Sequence, residues 1–183
     1  MPLFSIIIPF HNSASTLGAT LKSVQAQNLQ DWEVICIDDS GSDLSRDIAN
    51  AYAQTDGRIT VLDNTGNGPS DARNFGAAQA RGAYIAFLDA DDLWTPNKLS
   101  TLASGFLETG ADALFARIGF FEETPADCKT LSSIPDHPLQ ISDLLAENPV
   151  CTLSNLAVKT SIFKRVGGFD SDIVHNEDLE FLI

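Results

Sequence analysis

The sequence predicts an α/β fold: a doubly wound, mostly parallel sheet with helices on both faces. Three observations predict it. Four strand–helix units follow one another in roughly the first hundred residues. Their strands are short, unbroken apolar runs, as in strands buried on both faces. Acidic residues cluster just after the ends of two of those strands, where doubly wound sheets bind their ligands.

The elements read in order along the chain. Leu3–Pro9 (LFSIIIP) is the first buried strand, and Ser13 is placed to cap a helix to about Gln27, with Leu17, Leu21 and Val24 on one face. Glu33–Ile37 (EVICI) is the second strand, and Ser42 or Asp43 can cap a helix to about Gln54. Ile59–Leu62 is the third strand, followed by a Gly/Asn/Pro loop over Asn64–Pro69 and a helix from Ser70 to about Ala80. Ala83–Leu88 (AYIAFL) runs straight into Asp89–Asp92, and Pro96 suits the first turn of a helix over about Asn97–Glu108. Beyond Asp112 the pattern loosens. Ala113–Phe121 reads as a strand, Thr124–Pro138 as a surface loop, Ile141–Glu147 as a short helix, Thr152–Val158 as a strand and Ser161–Val166 as a short helix. Asn176 can cap a last helix, within which the sequence stops.

Composition narrows the function. The chain has 183 residues, 44% hydrophobic and 20% charged, as an ordinary globular protein does. Its net charge is −14, shared evenly: 12 acidic against 5 basic residues up to Asp92, and 13 against 6 after it. Such a surface disfavours nucleic acid and anionic lipid. It also makes a nucleotide a costly ligand unless a cation sits in the site. Cys36, Cys128 and Cys151 are too scattered for a disulfide framework or a zinc site, and Cys36 reads as core. The expected location is cytoplasmic, at most peripheral to the inner face of a membrane, because no run reaches the length of a spanning helix and the first residues lack a signal-peptide pattern.

Four places carry candidate chemistry. Asp89-Ala90-Asp91-Asp92 follows a buried strand and precedes Trp94. Carboxylates this close repel one another, and hard Mg²⁺ or Mn²⁺ relieves the repulsion while binding substrate phosphates. A solvated loop or helix cap would look the same without the strand and the tryptophan. Asp38-Asp39-Ser40-Gly41-Ser42 also follows a strand; it serves as a helix cap or as an acceptor for base or ribose groups. Gly66–Gly76 (GNGPSDARNFG) brings glycines to a helix start, and Arg73 one turn in can pair with phosphate. Asp71 at the third glycine position breaks the dinucleotide fingerprint, which counts against a dinucleotide oxidoreductase. Glu177-Asp178 is an acid pair at a helix start, where capping alone can also explain it. His11, His137 and His175 are scattered and read as structural or exposed.

In this order and context the motifs resemble those of the family 2 glycosyltransferases, from Ser5 to Asp178. Ser5–Asn12 (SIIIPFHN) resembles the opening strand and nucleotide-binding turn. Asp38–Asp43 (DDSGSD) is similar to DDGSxD with serine and glycine exchanged. Ser70–Gly76 with Ala80–Asp92 looks like SxARNxG…AxGxYIxFLDADD, and Trp94, Pro96, Lys98 and Leu99 match WxPxKL. Gly167–Asp170 (GGFD) with Glu177-Asp178 resembles the acceptor-side GGFDE…ED, although Ser171 stands where the family has Glu.

The resemblance implies the GT-A fold. It also implies inverting transfer of a sugar from a nucleotide-diphosphate-sugar to an acceptor hydroxyl, in polysaccharide or glycoconjugate synthesis. The implied donor is a UDP-sugar by default, the acceptor a saccharide or a lipid-linked one, and the cofactor Mn²⁺ or Mg²⁺. It sets Pro9 and Asn12 near the nucleotide, Asp39 near the base, and Arg73 near the diphosphate or ribose. Asp89 falls near ribose or metal-bound water, Asp91 on the metal, and Asp178 as general base with Glu177 beside it. The expected division is a nucleotide-sugar-binding half over 1–112 and a partial acceptor-side half over 113–183, truncated at the C-terminus. The alternative is a truncated, non-catalytic homologue that binds nucleotide or a partner.

Overall fold

The computed structural model describes residues 1–122, 124–146, 148–173 and 181–182. β1 (Phe4–Phe10), α1 (Leu17–Gln25), β2 (Trp32–Asp38), α2 (Ser45–Thr55), β3 (Ile59–Asp63), α3 (Gly68–Gln79), β4 (Tyr84–Phe87) and α4 (Lys98–Thr109) alternate as expected. They are followed by β5 (Ala113–Leu114), β6 (Gly119–Phe120), β7 (Thr130–Leu131), α5 (Ile141–Ala146), β8 (Ala157–Lys159) and α6 (Thr160–Val166).

The main sheet has the order β3-β2-β1-β4-β8-β5, and β6 and β7 form a separate two-stranded sheet. β1 runs parallel to both β2 and β4, and β2 parallel to β3, whereas β8 is antiparallel to β4 and to β5. Ile7 sits in register between Ile35 and Phe87. The chain order reverses between β1 and β4, so the carboxyl ends of these two strands flank the switch point at which such sheets bind ligands.

Period-2 alternation divides the core into two layers. Phe4, Ile6, Ile8 and Phe10 enter one layer with Leu17 and Leu21 of α1, Ala49 of α2 and Leu99, Leu102 and Phe106 of α4. Ile7, Ile35, Ile37 and Phe87 enter the other with Ala72 and Ala77 of α3 and Phe163 of α6. Both faces of the sheet are therefore helix-covered, which is why its strands read as continuous apolar runs. Cys36 lies in the first layer, where burial pushes its thiol up to about 12. The polar exceptions answer one another: the Ser5 hydroxyl donates to Glu33 (2.7 Å) and accepts from the Gly82 amide (2.8 Å). Burial pushes the Glu33 carboxyl up, but hydrogen bonds from Arg81 and Ser5 outweigh it and hold the group below its usual range.

The second half departs from the expected elements. Ala113–Phe121 is not one strand: β5 joins the main sheet and β6 leaves it to pair with β7 inside the stretch read as loop. Thr152–Val158 begins with a 3₁₀ turn at Leu153–Asn155, and only Ala157–Lys159 is strand. Here buried polar residues, Ser154 and Asn155, turn the backbone that an apolar reading would extend. The helix starts also move. α1 begins at Leu17 after a turn in which the Ser13 carbonyl accepts from Thr16 and Leu17, and α3 begins two residues early at Gly68.

Candidate active site

The carboxyl ends of β1 and β2 lead into two turns that hold each other. Asn12 Oδ1 accepts from the Ser42 amide (2.8 Å), the Asp39 amide donates to the Phe10 carbonyl (2.9 Å), and His11 Nδ1 lies 2.8 Å from the Asp39 carbonyl oxygen. The two adjacent acids have different tasks. Asp38 is buried, accepts from the Gly41 amide (3.2 Å) and pairs with Arg46 (2.9 Å). Asp39 is half-buried and points along the strand ends. Its Oδ1 accepts from Asn64 Nδ2 (2.7 Å) and the Gly68 amide (3.2 Å).

α3 joins this cluster to a second one at the end of β4. From its second turn Arg73, with a side chain only 8% exposed, donates to Asp89 Oδ1 at 2.7 Å. Thr152 Oγ1 lies 3.3 Å from Asp89 Oδ2, and the Asp89 amide donates to the Ser154 hydroxyl (2.8 Å). Asp89 is thus fixed at both carboxylate oxygens and at its backbone. A turn closed by the Asp92 amide on the Asp89 carbonyl (3.1 Å) follows, and it leaves Asp91 exposed. Asp92 is half-buried. Burial raises its carboxyl above the usual range, and the charges of Asp89 and Asp91 add to the rise against hydrogen bonds from Ser154 and Thr152. Trp94 is core, its indole donating to the Ser154 carbonyl at 2.9 Å.

Three amides of the glycine loop are taken by side chains. Asn64 Oδ1 takes the Gly66 amide (3.1 Å), Asp71 takes that of Asn67 (2.8 Å) and Asp39 takes that of Gly68 (3.2 Å). Two of the three acceptors are carboxylates, those of Asp71 and Asp39. Gly76, in the same motif, serves packing: a Cβ there would lie 2.6 Å from the Ile7 side chain.

Two separate motifs meet at Asn74. Its Nδ2 donates to the Phe169 carbonyl (2.8 Å), and its Oδ1 accepts from the Phe169 amide (2.9 Å). Phe169 stacks edge-on with Phe87 and Phe163, and the Ser171 hydroxyl donates to Asp71. The family's usual Glu at 171 would meet a like charge here. Glu177, Asp178, the Asn176 cap and His175 lie outside the described residues.

The structure thus brings Asn12 and Asp39 together at the ends of β1 and β2, with Pro9 in β1, and Arg73 and Asp89 together at the end of β4. Asp91 stands exposed beside them. Among the described residues no group of three or more His, Cys, Asp or Glu side chains converges as a self-contained metal site. Sequence reasoning missed Thr152, Ser154 and Asn64. For Thr152 and Ser154 the signal available was the polar residues within an otherwise apolar 150–158 segment; for Asn64 it was a place directly after the end of β3.

The 3-2-1-4 parallel core, closed by antiparallel strands and with an acidic turn at its switch point, defines a GT-A type α/β domain. S. aureus TarS (residues 1–349 in complex with UDP) superposes with a TM-score of 0.74 at 23% identity, covering 99% of this chain and 54% of that one. The mannosyltransferase PcManGT from Pyrobaculum calidifontis, in complex with GDP-Man and Mn²⁺, gives 0.74 at 20% identity over 98% of this chain and 50% of that one. The family model for Glycosyl transferase family 2 matches residues 5–167, and the chain belongs to that family. Among curated relatives, the putative teichuronic acid biosynthesis glycosyltransferase TuaG of Bacillus subtilis is 36% identical over 69% of this chain and 51% of its own length. WfgD of Escherichia coli, a UDP-Glc:α-D-GlcNAc-diphosphoundecaprenol β-1,3-glucosyltransferase, is 37% identical over 62% of this chain and 44% of its own. The chain spans about half the length of these relatives. Among the described residues no helix is long and apolar enough to cross a membrane.

Proposed function

We propose that this chain is the nucleotide-sugar-binding part of an inverting, metal-dependent glycosyltransferase acting in polysaccharide or glycoconjugate synthesis. The observation that carries the reading is the Asp89–Asp92 turn at the switch point, with Asp89 clamped by Arg73 and Thr152 and Asp91 exposed beside it. The relatives support the donor class. WfgD is named for a UDP-sugar and a diphosphoundecaprenol-linked acceptor, TarS has been solved with UDP and with UDP-GlcNAc, and PcManGT with GDP-Man and Mn²⁺.

In this reading Pro9 and Asn12 line the nucleotide, and Asp39 offers its second carboxylate oxygen to a base N–H. Arg73 orients Asp89, which accepts from the ribose. Mn²⁺ or Mg²⁺ suits the donor set: hard carboxylate oxygens, and an acid triplet whose mutual repulsion a divalent cation relieves. Asp91, with Asp89 beside it, would hold the ion, and donor phosphates would complete its coordination. When bound, the ion neutralises charge that develops on the nucleoside diphosphate leaving group.

Asp178 is the proposed general base, with Glu177 beside it. It takes the proton of an acceptor hydroxyl as that oxygen bonds to the anomeric carbon. The bond from that carbon to the diphosphate breaks on the opposite face, and its electron pair leaves with the nucleoside diphosphate. One displacement inverts the centre.

Two substitutions separate the roles. Asp91→Asn is expected to abolish metal-dependent donor binding. Asp178→Ala is expected to spare that binding and abolish transfer, read as UDP released from a UDP-sugar in the presence of saccharide acceptors. Nucleotide binding indifferent to Asp91 would remove the metal assignment.

A further inference from the structure

Two neighbouring residues of α3 reach two different parts of the molecule. Arg73 donates to Asp89, just past the end of β4. Asn74 spends its whole amide group on a residue 95 positions further along the chain. Its Nδ2 donates to the Phe169 carbonyl (2.8 Å) while its Oδ1 accepts from the Phe169 amide (2.9 Å). Two bonds exchanged with one residue fix both its place and its direction, as in a hydrogen-bonded pair of antiparallel strands. Gly168 permits the approach: its φ is +81°, and a Cβ there would overlap Asn74 Oδ1.

The buried Phe169 ring carries the contact in two directions. It lies edge-on to Phe87, the last residue of β4 and two positions before Asp89, with ring centroids 5.2 Å apart. It also packs on Phe181 at 4.8 Å, and Phe181 meets Phe163 of α6 at 5.3 Å. Closer to Phe169 along the chain, the Ser171 hydroxyl donates to Asp71 of α3, and the Ile173 amide donates to the Asp170 carbonyl (3.3 Å). Glu177 and Asp178 fall in sequence between Ile173 and Phe181. The described residues on both sides of the acid pair are therefore tied to one block, built on Asn74 and Phe169, which also touches the strand that leads into Asp89.

We infer that Asn74 is a positioning residue for transfer. Through Phe169 it holds the segment that carries Glu177-Asp178 in place relative to the donor-side carboxylates Asp89 and Asp91. Adjacent residues of one helix thus set the two halves of the site, Arg73 the donor half and Asn74 the acceptor half. The inference rests on the reading of Asp178 as general base.

The test compares the whole parent chain with Asn74→Ala, Phe169→Leu and Asp178→Ala. Alanine is a better helix former than asparagine, so Asn74→Ala need not disturb α3. Phe169→Leu removes the ring contacts and keeps both hydrogen bonds of the backbone. Three quantities are read: the Kd of UDP with Mn²⁺, kcat for UDP release from UDP-GlcNAc and UDP-glucose with methyl glycosides as acceptors, and hydrogen exchange of the amides over 168–173. Asn74→Ala and Phe169→Leu are each expected to lower kcat by about ten- to a hundredfold, the scale of a misplaced reacting group, and to leave the UDP Kd within about twofold. Exchange of the Phe169 amide should quicken at least about tenfold in Asn74→Ala. A purely structural role would weaken UDP binding and turnover together, and that result overturns the inference. Unchanged exchange at 168–173, or an unchanged kcat in both variants while Asp178→Ala is inactive, overturns it too and leaves the base assignment standing. Full turnover by Asp178→Ala, or none by the parent, removes the reading on which the inference rests and the positioning role with it.

Discussion

Ser40 and Gly41 show what an exchanged pair of letters does to a turn. Ser40 takes a left-handed backbone with φ of +61°, a conformation that favours glycine. Gly41 needs no positive φ but lies so close to the first turn that a Cβ would stand 2.9 Å from the Asn12 amide nitrogen. The exchange relative to DDGSxD therefore moves glycine from the strained position to the crowded one. Ser40→Gly is expected to stabilise the protein by roughly 0.5–1 kcal/mol, and Gly41→Ala to destabilise it by about 1–2 kcal/mol, both read by urea denaturation. Lys98 carries a second residue-level consequence. Burial lowers its ammonium from 10.5 to about 8, so between those values the unfolded chain holds a proton that the folded chain has lost. Stability contributed by this residue therefore rises with pH across that window, and its cost is fully present below about 8. Relative to Lys98→Met, the parent should gain roughly 1–3 kcal/mol between pH 7 and 10.5, and a flat difference would contradict the buried placement.

At the scale of elements, α3 is the hub. Its first residue is bound by Asp39, its second turn sends Arg73 to Asp89, and Asn74 grips Phe169. Gly76 lets the helix lie directly on Ile7 and Ile37 of the sheet. Gly76→Ala should gain about 1 kcal/mol of helix propensity but cost about 1–3 kcal/mol of overpacking, so net destabilisation in urea or thermal denaturation is expected. The first four strand–helix units were legible because strands covered on both faces must be apolar throughout, and Leu17, Leu21 and Val24 kept helical spacing. Legibility fell where polar side chains replaced pattern. Asn155 bonds both the Ala116 amide and carbonyl, and so folds 113–121 and 150–156 against each other through one amide group. No periodicity announces such a contact. Within the candidate site Asp39 and Asp89 could be named from strand-end position, and Arg73 from its place one turn into the helix that follows the glycine loop. Thr152 and Ser154 lie more than sixty residues from Asp89 and became visible only through the fold.

At the scale of the whole molecule, the strand order decides where chemistry can occur. The reversal between β1 and β4 opens the carboxyl edge of the sheet, and both acidic clusters sit on that edge. A net charge of −14 disfavours an anionic nucleotide over the surface at large, so binding at that edge depends on local positive charge. We propose that a divalent cation on Asp91 supplies that charge. Arg73, already committed to Asp89, cannot supply all of it. The most direct test is calorimetric titration of UDP, GDP and dTDP into the parent chain and Asp91→Asn, each with and without Mn²⁺. The parent is expected to bind one of these nucleotides only with Mn²⁺, and Asp91→Asn is expected to lose that binding. Equal binding with and without the metal, or full binding by the folded Asp91→Asn protein, would contradict it.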